Sequence, residues 1–419
     1  MFPRMVRVKQ KIECQEILDV RQAVISEVRK LDLDGMGLKG LTVGITAGSR
    51  GIYALPEIIK AIADVVNEAG ANPVIIAAMG THGGGTPEGQ LEMLKSLKVT
   101  PETVGAPIRC CADTVQLGET DEGVPVFCNV EATKVDRLII AHRIKPHTNF
   151  FGEIESGLHK MLTIGLGGPR GAKSTHGHML VKGYEKTIVD VARVMLKKLP
   201  VIFAVGVVEN WKGKTAEVKA VLPNEIYAKE KELQALAKEN TVKLPFKQMD
   251  VLVLGEIGKN ISGTGMDTKV VGRIMMRWGE EPKYPDIGRI VVLGLTPESH
   301  GNAIGIGLAD MTTRKVFQSI DIKSTALNAI GSMAVEQGRI PCVLDNDREA
   351  IESALVTLGA MDTTKARLVY LKNTLQLEEM FVAESMLDEV AEDSRLEVLG
   401  TPEELIFDDD GNLLNLRLP

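Results

Sequence analysis

The sequence predicts an α/β protein of two domains, each a parallel-rich sheet flanked by helices, with the active site in the cleft between them. Three observations carry this. Short β-branched runs alternate with longer helical patterns, that alternation starts afresh near residue 246, and 419 residues are more than one ordinary core holds.

The elements follow in order. "LTVGIT" (41–46) reads as a strand, "LPEIIKAIADVVNEAG" (55–70) as an amphipathic helix and "NPVIIAAM" (72–79) as the next strand, the grammar of a parallel sheet. "VDRLIIAHRI" (135–144) and "VIFAVGVVE" (201–209) continue the sheet, with "YEKTIVDVARVMLKKL" (184–199) as the helix between them. "NEIYAKEKELQALAKEN" (224–240) is a charged helix expected to face solvent. The second cycle runs through "MDVLVLGEIG" (249–258), "RIVVLGL" (289–295), the helical "STALNAIGSMAVEQG" (324–338) and "REAIESALVTLGAM" (348–361), and the strand "RLVYLKN" (367–373). The domains are therefore 1–245 and 246–419, the second closing over the cleft. "FDDDGNLL" near the end reads as a solvated turn rather than a calcium loop.

Composition narrows the function. A net charge of −7 with no basic stripe interleaved with aromatics gives no footprint for nucleic acid, so small molecules are the expected partners. No apolar run reaches the ~18 residues of a membrane span and the N-terminus lacks a signal-peptide core, so no membrane association and a cytoplasmic location are expected. Five cysteines with no C-x-x-C pair point to reduced thiols, with Cys110 and Cys111 as small strand residues.

The chemistry concentrates in the first domain. Of seven histidines, His82, His142, His147, His159, His176 and His178 all fall between residues 82 and 178. His82, in "AAMGTHGGGTPEGQ", and His147, in "HRIKPHTNFFGE", each follow a strand, where a parallel sheet places its ligand-bearing loops. His142 lies within a strand and reads as a satisfied core residue. His176 and His178, two apart, share a face only on a strand, so one of them at most serves a site. Imidazoles on neighbouring loops suit zinc, copper, iron or nickel, although no acidic residue completes a zinc-protease helix.

Three motifs only approximate known ones. "ITAGSRGIY" (45–53) has Tyr53 where a dinucleotide turn needs its last glycine, "YAKEK" (227–231) lies in a charged helix with Tyr227 and Lys231 as surface residues, and in "GGPRGAKST" (167–175) Ala172 separates the glycine from Lys173.

Taken together, "GTHGGGTPEG", "KPHTNFFGEIESGLHKMLTIGLGG" and "KSTHG" resemble the nickel-dependent lactate racemase family, whose members carry a nickel-pincer nucleotide. The resemblance implies that Lys160 is the lysine that tethers the pyridinium cofactor through a thioamide and that His176, sixteen residues later, ligates nickel. It implies His82 and His147 as the acid and base on opposite sides of the substrate, and Arg50 as the fork that holds its carboxylate. Ser49, Gly157 and Gly165 would contact the cofactor. His159 and His178 have no assigned part.

The implied activity is racemisation or epimerisation of a 2-hydroxy carboxylic acid by reversible hydride transfer, with cofactor-assembling enzymes as partners. Histidine, with a pKa of ~6.5, suits removal of the hydroxyl proton. The sequence departs from the family pattern at Ala47, where an acid is usual, at Gly83 to Gly85, where an arginine is usual, and in "SGTGMDTKVVGRIMMRW" (262–278), where Lys269 or Arg273 would have to supply a cation. An NAD(P)-type dehydrogenase-like enzyme using the "TAGSRG" turn, or a non-catalytic nickel or nucleotide binding protein, are the alternatives.

Overall fold

The computed structural model describes residues 1–277 and 279–419, so the last residue of the 262–278 segment, Trp278, lies outside the described residues. The chain forms two compact units, one of Cys14–His147 with Phe151–Thr241, the other of Met1–Glu13, Thr148–Phe150 and Val242–Pro419.

The first unit holds a six-stranded sheet in the order Ile108–Arg109, Asn72–Ala77, Thr42–Ala47, Arg137–Ile144, Val201–Glu209, Thr215–Val221. All neighbours are parallel except the last pair, which is antiparallel. The helix Leu55–Glu68 shows why the crossovers form. Pro56 presets its first turn, Ile58, Ile59, Ile62, Val65 and Val66 make one buried face, and Gly70 ends it at φ 74°, a left-handed cap that glycine adopts without strain. Continuous apolar strands such as "GITA" are buried on both faces between two core clusters.

The second unit holds an eight-stranded mixed sheet. Cys342–Leu344, Met311–Thr313, Asp286–Val292, Gln248–Leu254 and Leu368–Leu371 run parallel, and Glu379–Ala383, Met5–Gln10 and Leu396–Val398 follow as antiparallel neighbours. Met5–Gln10 buries Met5, Val6 and Val8 in this core and pairs Met5 with Ala383. The N-terminal strand thus belongs to the second unit rather than to a continuous 1–245 unit, and the later crossing falls between Thr241 and Val242, a few residues before the boundary read from periodicity.

Other elements also depart from expectation. The helix Ile226–Glu239 is not simply solvent-facing: Ile226, Glu230, Leu233, Gln234 and Ala237 are buried. The run 324–338 is broken into a helix, Ile322–Gly331, and a separate 3-10 turn, Val335–Gly338. Cys110 and Cys111 lie just beyond the strand Ile108–Arg109, where Gln90 fixes the Cys111 backbone through its amide. No described helix is long and apolar enough to cross a membrane.

Candidate active site

The candidate residues stand at the carboxyl ends of the parallel strands of the first unit, the general place for ligands in such sheets. Thr42–Ala47 runs out into Gly48, Ser49 and Arg50, and Asn72–Ala77 into the turn that carries His82. The Ser49 hydroxyl hydrogen-bonds His82 Nδ1, joining the two loops and setting the ring's orientation.

The glycine-rich ribbon folds as two helical pieces. Leu158–Lys160 begins a helix that widens into a π-turn over Met161–Gly165, closed by Leu166 N donating to Met161 O at 2.8 Å. Such turns are rare and concentrate at functional sites. Gly165 lets this turn settle on the His82 loop: a Cβ there would fall 2.9 Å from Ala78 O, and Gly165 O accepts from Gly80 N at 3.1 Å. The helix Gly168–Lys182 follows, with Pro169 in its first turn. Lys173 is exposed on this helix rather than in a phosphate loop. His176 and His178 point about 200° apart around its axis, and His178 Nδ1 engages Ser174 O in the preceding turn at 2.8 Å.

Lys160 is the electrostatic centre. Burial, then the cations Lys145 and Arg50, push its amine down to about 7. His176 is held down at about 4 by burial and then Lys160. At pH 7 His176 is therefore neutral and Lys160 about half neutral, which suits a metal-ligating imidazole and a nucleophilic amine. Arg50 presents surface to solvent, yet burial of its head among neighbouring atoms and then Arg143 lower its pKa. Arg143 is itself paired with Glu209, whose other oxygen accepts from Tyr53 N at 2.7 Å.

His147 is set by its backbone. Glu155, fully buried, accepts from His147 N at 2.6 Å, from Gly152 N at 3.2 Å and from Lys238, whose Nζ lies 2.8 Å away. The His147 ring lies beside Tyr184, centroids 6.3 Å apart. Glu185 pins the same loop by accepting from Glu153 N and Ile154 N, each at 3.1 Å.

Several readings change. His142 is not a satisfied core residue: its Nδ1 is buried with no hydrogen-bond partner. Burial, then Arg143, Lys160 and Lys145, push its pKa to about 3. Gly157 is spoken for by packing rather than by a cofactor, since a Cβ there would lie 2.3 Å from Glu230 Oε1 and 2.8 Å from Ile144 Cγ1. Glu230 in turn receives His159 through both its backbone N, at 2.9 Å, and its Nδ1, at 2.6 Å, making His159 a structural anchor beside Lys160. Tyr227, half-exposed, stands edge-on to that ring at 5.9 Å. In the second unit Arg273 is consumed by Asp310 and the carbonyls of Leu308, Ile287 and Gly288. It is a structural arginine there rather than a substrate cation. Glu230 and Gln234 were missed because the charged pattern of 224–240 reads as solvated surface, and Glu155 because nothing in its segment marks a buried acid; the signal for all three is the burial that the fold imposes.

The residues present fit a tethered, metal-bearing cofactor. A neutral-range amine acts electrostatically on a neutral imidazole, and the charges that shift them are cations rather than carboxylates. Among the described residues no three His, Cys, Asp or Glu side chains gather at one point, so a metal here would draw most of its donors from a carrier.

Residues 45–187 match the model of the lactate racemase N-terminal domain. Among solved structures, the lactate racemase apoprotein from Thermoanaerobacterium thermosaccharolyticum superposes with a TM-score of 0.52 at 15% identity, over 83% of this chain and 86% of that one. A protein from Thermotoga maritima superposes at 0.53 and 12% identity, over 87% and 98%. At such identities the likeness is one of fold. No curated protein matches the chain.

Proposed function

We propose, for a chain that carries a lactate racemase N-terminal domain over residues 45–187 and the lactate racemase fold, that it racemises or epimerises a 2-hydroxy carboxylic acid with a nickel-pincer nucleotide tethered to Lys160. The observation that carries the proposal is Lys160 and His176 within electrostatic reach of each other: an amine lowered to about 7 acting on an imidazole lowered to about 4. Lys160 would hold the group covalently and His176 would ligate its nickel. When bound, the group would supply an electron-poor pyridinium that takes the C2 hydrogen as hydride and gives it back.

The chain's own residues do the rest. Arg50 presents a guanidinium fork for the substrate carboxylate. His82 gives its Nδ1 to Ser49; with that nitrogen donating, Nε2 carries the lone pair that accepts the substrate's hydroxyl proton. His147, on a loop held by Glu155, serves the hydroxyl on the opposite face. Inversion needs one such group per face.

The test is the intact and peptide mass of protein made together with cofactor-assembling enzymes, followed by C2-hydrogen exchange across a panel of 2-hydroxy acids. We expect added mass on the peptide carrying Lys160, stoichiometric nickel and exchange in at least one acid, with exchange lost in His82→Ala and His147→Ala. Unmodified Lys160 without nickel would overturn the cofactor assignment; a loaded protein that exchanges nothing would overturn racemisation.

A further inference from the structure

His142 has no task in the reading above, yet it stands near the end of the strand Arg137–Ile144, one residue before Arg143 and among the same cations as Lys160. Its Nδ1 is buried and unmatched, and neither ring nitrogen bonds to a described residue. A buried nitrogen in that state is costly unless something else completes it. The space beside the ring is kept clear by Gly48: a Cβ there would come 3.4 Å from His142 Cε1 and 3.5 Å from Nδ1. The ring is not sealed, because the residue keeps partial exposure.

The charges around it define the missing partner. Arg143, Lys160 and Lys145 all act on the ring, and Arg143 is already engaged by Glu209. No carboxylate is among the charges that act on the ring. Cations attract an anion, and a neutral imidazole can offer it one N–H and one lone pair. Held neutral, His142 is unsuited to moving protons near pH 7 and suited to fixing an oxygen in place.

We propose that His142 is a further binding residue of this site, closing a hydrogen bond to an oxygen of an anionic ligand that the Arg50 guanidinium draws in. The inference rests on the placement of the proposed site at Lys160, not on racemisation. A carboxylate or a phosphate oxygen would accept from the ring N–H, and a hydroxyl on the neighbouring carbon could donate to its lone pair, so a 2-hydroxy carboxylate satisfies both.

The test uses the full chain with 15N-labelled histidine, titrated at pH 7.5 with glycolate and separately with inorganic phosphate while the ring nitrogen signals are followed. We expect one of these anions to shift the His142 signals. His142→Leu should weaken that anion's binding about tenfold, and His142→Gln, which keeps a donor and an acceptor, should restore part of it. The thermal midpoint of His142→Leu should stay level or rise, because an unmatched polar atom has gone. The proposal is overturned if neither anion moves the His142 signals, or if His142→Leu lowers the midpoint by several degrees and leaves both affinities intact. Should phosphate shift the ring and glycolate not, the binding role stands and the 2-hydroxy acid reading falls; the cofactor reading fails separately, by the mass of Lys160.

Discussion

At the scale of single residues, the amine of Lys160 is the most informative group. An ordinary lysine near 10.4 is almost wholly protonated at pH 7, whereas a lysine at about 7 is half neutral, a neutral fraction on the order of a thousandfold larger. Acylation by a water-soluble ester, read by peptide mass spectrometry across pH, should therefore show Lys160 labelled with a midpoint near pH 7, well below the ~10.4 of an ordinary lysine. A Lys160 profile that follows the exposed lysines would remove its claim to be a nucleophile. Lys160, His176, His82 and Arg50 could be singled out in the sequence because each sits in a short motif. The sequence could not show that His142 lacks a partner, since a histidine in an apolar strand reads the same whether its ring is satisfied or not.

At the scale of elements, buried acids act on backbone. Glu155 collects His147 N, Gly152 N and Lys238 around one carboxylate, and so shapes the loop that presents His147. Replacing Glu155 with alanine leaves the amides of His147 and Gly152 without this acceptor and Lys238 with the Gly152 carbonyl but not the carboxylate, at a cost of about 2 kcal/mol. Hydrogen exchange should then quicken at the amides of His147 and Gly152 while the strand Arg137–Ile144 stays protected. Uniform loss of protection would mean that the carboxylate supports the whole unit instead. The elements themselves were largely legible: strands 41–46, 72–79 and 201–209 and helices 55–70 and 184–199 form close to where periodicity put them. The helix Ile226–Glu239 was misjudged because Glu230 and Gln234 sit on its apolar face, where their polarity disguises burial. Only tertiary contact reveals that they answer Gly157, His159 and the backbone of Glu155 and Ser156.

At the scale of the whole molecule, the site loads the fold with groups that resist protonation. Lys160, His176 and His142 all have pKa values below their ordinary ones, so protons bind the unfolded chain more readily. For the lysine, stability is complete above about 10.5 and falls as pH drops through about 7; for the histidines it is complete above about 6.5 and falls as pH drops through 4 and 3. Between pH 9 and pH 7 the lysine alone should remove about 2 kcal/mol. Urea denaturation at the two values should show that slope in the wild type and lose it in Lys160→Met. An equal slope in both would place the burden elsewhere.

The two-unit organisation was legible from composition and from the restart of the strand pattern, but its discontinuity was not, because a single strand carries no label for the sheet that will take it. That strand has a temporal meaning. Met5–Gln10 is synthesised before the other described strands, and its partners, Glu379–Ala383 and Leu396–Val398, after all of them. The eight-stranded sheet cannot close until Leu396–Val398 has been released, while the sheet built from residues 42–221 has all its strands much earlier. On the ribosome the unit that bears Lys160 is thus free to fold first, and during that interval Met5–Gln10, with Met5, Val6 and Val8, waits without its partner strands, a stage at which the nascent protein gains from a chaperone.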